Sequence, residues 1–409
     1  MTVPALVVDI GSENVVALCA EYDDKGDFAV LGVGIQPCEG MNRWRIEEPE
    51  ELASALSTAT DEAMESLSSP LTSVTLGVSS PGFRHYFKKG SIGLQPPGKA
   101  ISSDDLMHVI NHARQVILPS GMEQLQALPV GFEIDGEKSV SRPLGQRGRR
   151  LDVDALIVSA PTAEVDALEE TVASADLVAH GLVYRPLASA LAVSDADERQ
   201  EGIAILNIDN WTTDVGVFHN GTLTYANTLP LGGAHITHDL ATLLNMTFDD
   251  ADELKREHVE FPHHLIGENS VCEVRQVGSD QLRQIKQSVV CEIAQSRVIE
   301  IARLIRKDME RAGYSRLLAA GIGITGDTAN IKGIERVIKS EFGDTRVVKK
   351  VPKITGQYSR QLNKPEYAAA IGLAFYALNR EMEELEPATA QVNWKSRVKA
   401  IWSLVGTGR

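Results

Sequence analysis

The chain has 409 residues, 43% of them hydrophobic, with a formal charge of −16 and four cysteines. That length and composition provide for a large core in two domains or one bilobal body, and the acidic balance excludes a nucleic-acid binder, which needs a basic field. No apolar run is long enough to span a bilayer; the opening Met1-Thr-Val-Pro-Ala-Leu-Val-Val-Asp-Ile lacks the basic start of a leader; and Cys19, Cys38, Cys272 and Cys291 form no Cys-x-x-Cys pair, which suits reduced core thiols.

In chain order, Leu6-Val-Val-Asp-Ile-Gly-Ser-Glu-Asn-Val-Val-Ala-Leu reads as a strand, an acidic turn and a second strand. A strand over 29–35, a helix from Glu48 to about Leu67 and a strand over 74–79 follow. Residues 81–152 read as an inserted module. Ser102-Ser-Asp-Asp opens a helix that runs to Ile117, strands surround Phe132-Glu-Ile, and Gly145-Gln-Arg-Gly-Arg-Arg is a basic turn. The main fold resumes at Leu156-Ile-Val-Ser, with a helix from about Ala163. A second hairpin of the first kind follows at Ile203-Ala-Ile-Leu-Asn-Ile-Asp-Asn-Trp-Thr-Thr-Asp-Val-Gly-Val. Two such hairpins, one in each half, point to a duplication and to a pair of turns that clamps phosphates from two sides. Helices are expected over 234–245, 249–257 and 279–312, then a strand and Gly-rich turn at Gly321-Ile-Gly-Ile-Thr-Gly-Asp. Alternating strands and helices define an α/β architecture. The ten histidines, His263-His264 included, read as loop or core residues.

The end of the chain has a different chemistry. Glu381, Glu383, Glu384 and Glu386 read as a solvated tether. Beyond it, at helical spacing, Trp394, Val398, Ile401, Trp402 and Val405 share one face, flanked by Lys395, Arg397 and Lys399. A basic amphipathic helix with Trp on its apolar side reads as an anchor to an anionic membrane surface. Each basic residue contributes roughly 1 kcal/mol near an anionic leaflet, and partial burial of the apolar face adds several more at about 25 cal/mol per Å². Ordering the helix offsets much of that, so one copy binds reversibly and stable attachment needs linked copies.

Five segments resemble the actin and heat-shock chaperone ATPase superfamily: Asp9-Ile-Gly-Ser, Arg185-Pro-Leu-Ala-Ser-Ala-Leu-Ala, Asn207-Ile-Asp-Asn-Trp-Thr-Thr-Asp, Ile324-Thr-Gly-Asp and Pro365-Glu-Tyr-Ala-Ala-Ala-Ile-Gly. Within it the chain resembles the bacterial cell-division FtsA family. That likeness rests on Gly32-Val-Gly-Ile-Gln-Pro-Cys-Glu-Gly-Met, the module at 81–152, Gly145-x-x-Gly-x-Arg-Leu, Leu231-Gly-Gly-Ala-His-Ile-Thr-His-Asp-Leu-Ala and the terminal amphipathic helix. The resemblance implies an actin-like bilobal ATPase fold of two ribonuclease-H-like domains. The first lobe would take 1–80 and 153–193, the FtsA-type insert 81–152, the second lobe 194–378, an acidic linker 379–392, and the membrane helix 393–409. It further implies a cell-division scaffold, peripheral on the cytoplasmic face of the membrane at the division site. Such a scaffold polymerises with itself, anchors FtsZ filaments by their C-terminal tail and recruits later membrane proteins of the divisome. The residues matching the tail-gripping pattern are Arg283, Lys286, Arg297 and Glu300.

The resemblance also implies an ATP site with Mg²⁺. Asp9 would hold the metal through water, and Gly11 and Ser12 would meet phosphates. Asn207, Asp209, Thr212 and Asp214 would form the second phosphate loop; Gly232 and Gly233, the pair Asp252 and Lys255, and Gly326 complete the nucleotide set. The sequence departs from that pattern. Asp209-Asn210-Trp211 stands where the family has glycines, Asn207 replaces an Asp, and Asp327 replaces a Gly. Only glycine lets successive N–H groups curl round a phosphate without a Cβ clash, so hydrolysis is expected to be slow or absent and the protein no enzyme. The alternatives are an active ATPase or small-molecule kinase on the same fold, which needs an intact loop, and a pilus-assembly actin-like protein, which needs no amphipathic end.

Overall fold

The computed structural model describes residues 4–23, 25–140, 143–278 and 281–384. The expected membrane helix, 393–409, and most of the expected tether lie outside these residues.

Two five-stranded sheets share one plan. In the first, Ala5–Ile10, Asn14–Tyr22 and Phe28–Pro37 form an antiparallel meander, and Ser73–Val78 and Val178–Tyr184 add to it in parallel. In the second, Ile203–Ile208, Thr213–His219 and Thr222–Leu229 form the same meander, extended in parallel by Gly321–Thr325 and Val347–Lys349. The two strand orders correspond element for element, so the repeated hairpin of the sequence is the visible part of a repeated sheet. The leading strands are apolar at consecutive positions and buried along their length, as strands covered on both faces must be.

One cover of the first sheet is the helix Pro49–Met64, which has proline at its start and Glu50 and Glu51 in its first turn. It lies directly on strand Phe28–Pro37: a Cβ on Gly34 would stand 1.8 Å from the Ala59 carbonyl oxygen. Between the two sheets sit helices Arg185–Val193 and Ala368–Glu384, packed on each other and on the central strands. Their contact is nearly atom-on-backbone, since a Cβ on Gly372 would meet the Ala188 carbonyl oxygen at 1.7 Å. Ala368, Ala370, Ile371, Leu373, Ala374 and Ala377 join the first-lobe core. The lobe boundary expected at 378 is therefore corrected: small side chains let this last helix return to the first lobe. It also continues to Glu384, so the first residues of the expected linker are helical.

The inserted module has its own antiparallel sheet of Arg84–Gly93, Arg150–Pro161, Met122–Ile134 and Glu137–Val140. Strand Arg150–Pro161 pairs within that sheet over its whole length, so the module extends past the expected end at 152. Its helix, Ser103–Arg114, starts in a capping box between Ser102 and Asp105 and stops before the expected Ile117. Leu106, Val109, Phe132, Leu151 and Val153 give the module a separate core. In the second lobe, helices Gly233–Leu244, Phe248–His258, Gln287–Arg311 and Ile334–Phe342 enclose another. The helix expected over 279–312 is shorter at its start. Leu282–Lys286 is instead a strand paired with Val271–Arg275, because two-residue alternation buries Cys272 and Val274 on one face.

Candidate functional site

The turns of the two repeated hairpins face each other across the cleft between the sheets. Asp9, at the end of the first strand, is buried. Asn207, Asp209, Thr212 and Asp214 are buried opposite it, so the structure brings together the residues expected of the two phosphate loops. What lies between them is a side chain. The Arg185 guanidinium places Nε 2.8 Å from Asp9 Oδ1 and donates from Nη2 to Asp9 Oδ2 at 3.2 Å and to Asp209 Oδ2 at 2.7 Å. The Nε contact is off the hydrogen-bond angle, since neither atom gains a bonded partner by it; it is an attraction of charges. Asn207 Nδ2 also donates to Asp209 Oδ2, at 2.9 Å. Burial pushes the Asp9 carboxyl above its ordinary range against the pull of Arg185. Burial also works against the Arg185 charge, but Asp9 and Asp209 overcome it and fix the cation.

Asp214 accepts hydrogen bonds from the Ser79 hydroxyl and from Thr228 Oγ1 at 2.7 Å, and Tyr184 Oη lies 3.1 Å from Thr228 Oγ1. Desolvation nevertheless lifts its carboxyl to about 6. These partners come from both lobes, so the bottom of the cleft is closed by side chains. Its mouth is bridged as well. Arg256 Nη2 donates to Glu13 Oε1 at 3.0 Å and Oε2 at 2.9 Å, and Arg43 stands 5.0 Å from the Trp211 ring centre, within cation–π range. Trp211 is further stacked on Phe248, with ring centres 6.3 Å apart.

Three of the backbone donors that a phosphate could use are engaged. Gly11 N–H donates to the Asn14 carbonyl at 2.9 Å, Gly233 N–H to the Asp209 carbonyl at 2.9 Å and Ala234 N–H to the Asn210 carbonyl at 2.7 Å. The last two occupy the start of helix Gly233–Leu244, where an anion would otherwise be held. Gly232 is the close-approach glycine of the loop contact, since a Cβ there would lie 2.2 Å from the Asp209 oxygen. Asn210 Oδ1 and Asp214 Oδ2 are buried without a partner, and both are acceptors, which repel a phosphate oxygen. A metal ion would have to share Asp9 and Asp209 with a guanidinium. At an effective dielectric near 20 each like-charge pair at 4 Å costs about 4 kcal/mol. The residues present do not fit a metal-bound triphosphate.

The nucleoside end differs. Lys255 Nζ reaches Asp252 Oδ1 at 2.5 Å and Thr237 Oγ1 at 2.9 Å, and Arg256 Nε reaches Asp252 Oδ2 at 2.6 Å. Burial works to raise the Asp252 carboxyl, but hydrogen bonds from Lys255 and Arg256 prevail and hold it at about 2. Gly326 has φ 89° and lies against Ile208, and Asp327 beside it is lifted by burial to about 6. Lys255, Asp327, Thr328 and Gln287 line a polar chamber of about 590 Å³. Sequence reasoning missed Arg185, Arg256, Glu13, Ser79 and Thr228 as cleft residues. Arg185 stood in a quoted motif, but nothing local marks a side chain whose partner is 176 positions away.

The residues expected to grip a peptide tail are divided. Arg297 donates to Asp239 in a two-pronged pair, 2.7 and 2.8 Å, and to Glu300 at 2.5 Å, which ties helix Gln287–Arg311 to Gly233–Leu244. Arg283 and Lys286 are on the strand, not the helix. The strand register sets Lys286 opposite Val271 and Leu282 opposite Arg275, all four exposed. Arg283, opposite Val274, belongs to the other face. Arg275 is the basic residue that the sequence reading missed.

The fold and the facing hairpin turns define an actin-like, two-lobed protein. Among solved structures it is similar to the type IV pilus PilM in a "PilM-PilN type IV pilus biogenesis complex" (TM-score 0.65, 17% identity, 92% of this chain and 99% of that one). It is also similar to MreB5 of Spiroplasma citri bound to ADP (TM-score 0.58, 12% identity, 94% and 99%). Residues 204–372 match the family profile "Cell division protein FtsA", and 85–159 match "SHS2 domain inserted in FTSA". Cell division protein FtsA of Pseudomonas aeruginosa is 25% identical over 389 residues, 95% of this chain and 93% of that protein. The Neisseria meningitidis protein is 27% identical over 387 residues, 94% and 93%, and that of Escherichia coli K12 is 25% identical over 406 residues, 96% of each. The chain belongs to the FtsA family of bacterial cell-division proteins.

Proposed function

We propose that this protein is a division scaffold that links FtsZ filaments to the cytoplasmic face of the cell membrane, with ATPase activity weak or absent. The observation that carries the reading is the SHS2 module at 85–159, a unit with its own core set into an actin-like body. In this reading the body polymerises with itself, and the module meets neighbouring copies and later divisome proteins. The terminal residues Trp394, Lys395, Arg397, Val398, Lys399, Ile401, Trp402 and Val405 insert into the anionic leaflet. Among the described residues no helix is long and apolar enough to cross a membrane.

The FtsZ tail docks on the exposed face of the hairpin Val271–Arg275 and Leu282–Lys286. There Val271 and Leu282, 49% and 57% exposed, pair across the strands with Lys286 and Arg275, with Glu273 and Gln284 between the two pairs, giving apolar and basic contacts to one acidic peptide. Arg283 lies on the other face of the hairpin, and Arg297, bonded to Asp239 and Glu300, fixes the helix that follows it. Fluorescence anisotropy with a labelled FtsZ C-terminal peptide tests the assignment. Arg275→Glu and Lys286→Glu should each weaken binding by about tenfold, a loss of roughly 1.4 kcal/mol, while Lys339→Glu on helix Ile334–Phe342 leaves it unchanged. Equal affinity in all of them would move the tail elsewhere.

A further inference from the structure

We propose that the Arg185 guanidinium is the resident cation of the cleft, standing in for the divalent ion so that the two lobes close without metal or triphosphate. The inference rests on reading the cleft as the family's altered nucleotide site. Three observations carry it. Arg185 is 7% exposed and spans Asp9 and Asp209, themselves 4% and 11% exposed, so both carboxylates that face each other across the cleft already share one cation. A planar guanidinium presents several donors in fixed directions, and Nη2 alone meets oxygens of both lobes' hairpins. Among the described residues no group of three or more His, Cys, Asp or Glu side chains is placed to hold a metal ion.

The mouth of the cleft repeats the arrangement with other groups. Arg256 grips Glu13 and Arg43 covers Trp211, again pairing one lobe with the other. Cations supplied by the chain thus take over, at two depths, the charge neutralisation that a bound metal would bring. The ligand class that remains compatible with the polar chamber beside Lys255 and Asp327 is an uncharged nucleoside or a nucleotide bound without metal.

The test uses the full chain, with Mn²⁺ binding read by electron paramagnetic resonance and thermal melts read in MgCl₂ or EDTA with adenosine, ADP or ATP. The wild type should show no stoichiometric Mn²⁺ site, and its melting temperature with each compound should be the same in MgCl₂ and EDTA. Arg185→Ala uncovers Asp9 and Asp209; it should melt lower in EDTA, regain part of the loss in MgCl₂ and bind Mn²⁺. Arg185→Lys keeps a cation in place and should remain indifferent to metal. A stoichiometric Mn²⁺ site in the wild type, or ATP stabilisation that EDTA abolishes, overturns the proposal, as does folded Arg185→Ala that gains no Mn²⁺. If Arg185→Ala does not fold, the wild-type measurements decide. Neither readout involves peptide or lipid, so this idea and the scaffold function stand or fall separately.

Discussion

Arg185 shows how one residue decides what a site can do. It sits between two buried carboxylates, and removing one partner of a buried pair leaves uncompensated charge, at a cost of roughly 3–5 kcal/mol. Arg185→Ala should therefore lower stability by that amount in urea unfolding, against about 1 kcal/mol or less for the exposed Lys332→Ala at its pair with Glu260. Asp214 gives a prediction in pH. Its folded-state carboxyl is raised by burial to about 6, above the ordinary unfolded value near 3.9. The folded protein therefore binds that proton more readily, and the stability it contributes is full below pH ~4 and lost as pH rises through about 6. Asp327 acts in the same direction. His85, held neutral to about 4 by burial, acts in the opposite one. Comparing unfolding at pH 5 and 7 for the wild type and Asp214→Asn isolates the carboxyl. The variant should lose on the order of 1–2 kcal/mol of the relative gain at pH 5, and an identical pH difference in both would rule out a raised Asp214.

The elements explain which parts of the structure the sequence could disclose. The strands Ala5–Ile10 and Ile203–Ile208 each open with four consecutive apolar residues before a polar one, Asp9 or Asn207, and both hairpins were legible because their signal is local. The helix start at Ser102 was legible for the same reason, as its capping box lies within four residues. The strand Leu282–Lys286 was not, since five residues of alternation are too few to stand apart from the helix that follows. The return of Ala368–Glu384 to the first lobe was hidden too, because its cause is a close approach to Ala188 across half the chain. That approach predicts a sharp asymmetry between glycines. Gly372→Ala, forced against the Ala188 oxygen, should destabilise by about 2–3 kcal/mol or more, whereas Gly93→Ala, with open space around its Cβ position, should stay within about 0.5 kcal/mol. Chemical denaturation of both variants checks the claim, and equal effects would contradict the helix pairing.

At the scale of the whole molecule, the repeated sheets form a body whose cleft is shut by its own side chains, carrying a module and a peptide-sized surface on its outside. The family was legible in the sequence through short motifs at fixed order, and the eroded phosphate loop through Asp209-Asn210-Trp211. The filling of that loop by Arg185, Asp209 and backbone carbonyls could be seen only once the two halves faced each other. The proposed link from lipid to filament is tested most directly by floating anionic vesicles through a density gradient with labelled FtsZ tail peptide and either the full chain or a truncation ending at Pro387. The full chain should rise with the vesicles and carry the peptide, while the truncation stays below yet still binds peptide in solution. Flotation of both, or a full chain that reaches the vesicles without peptide, would contradict the account.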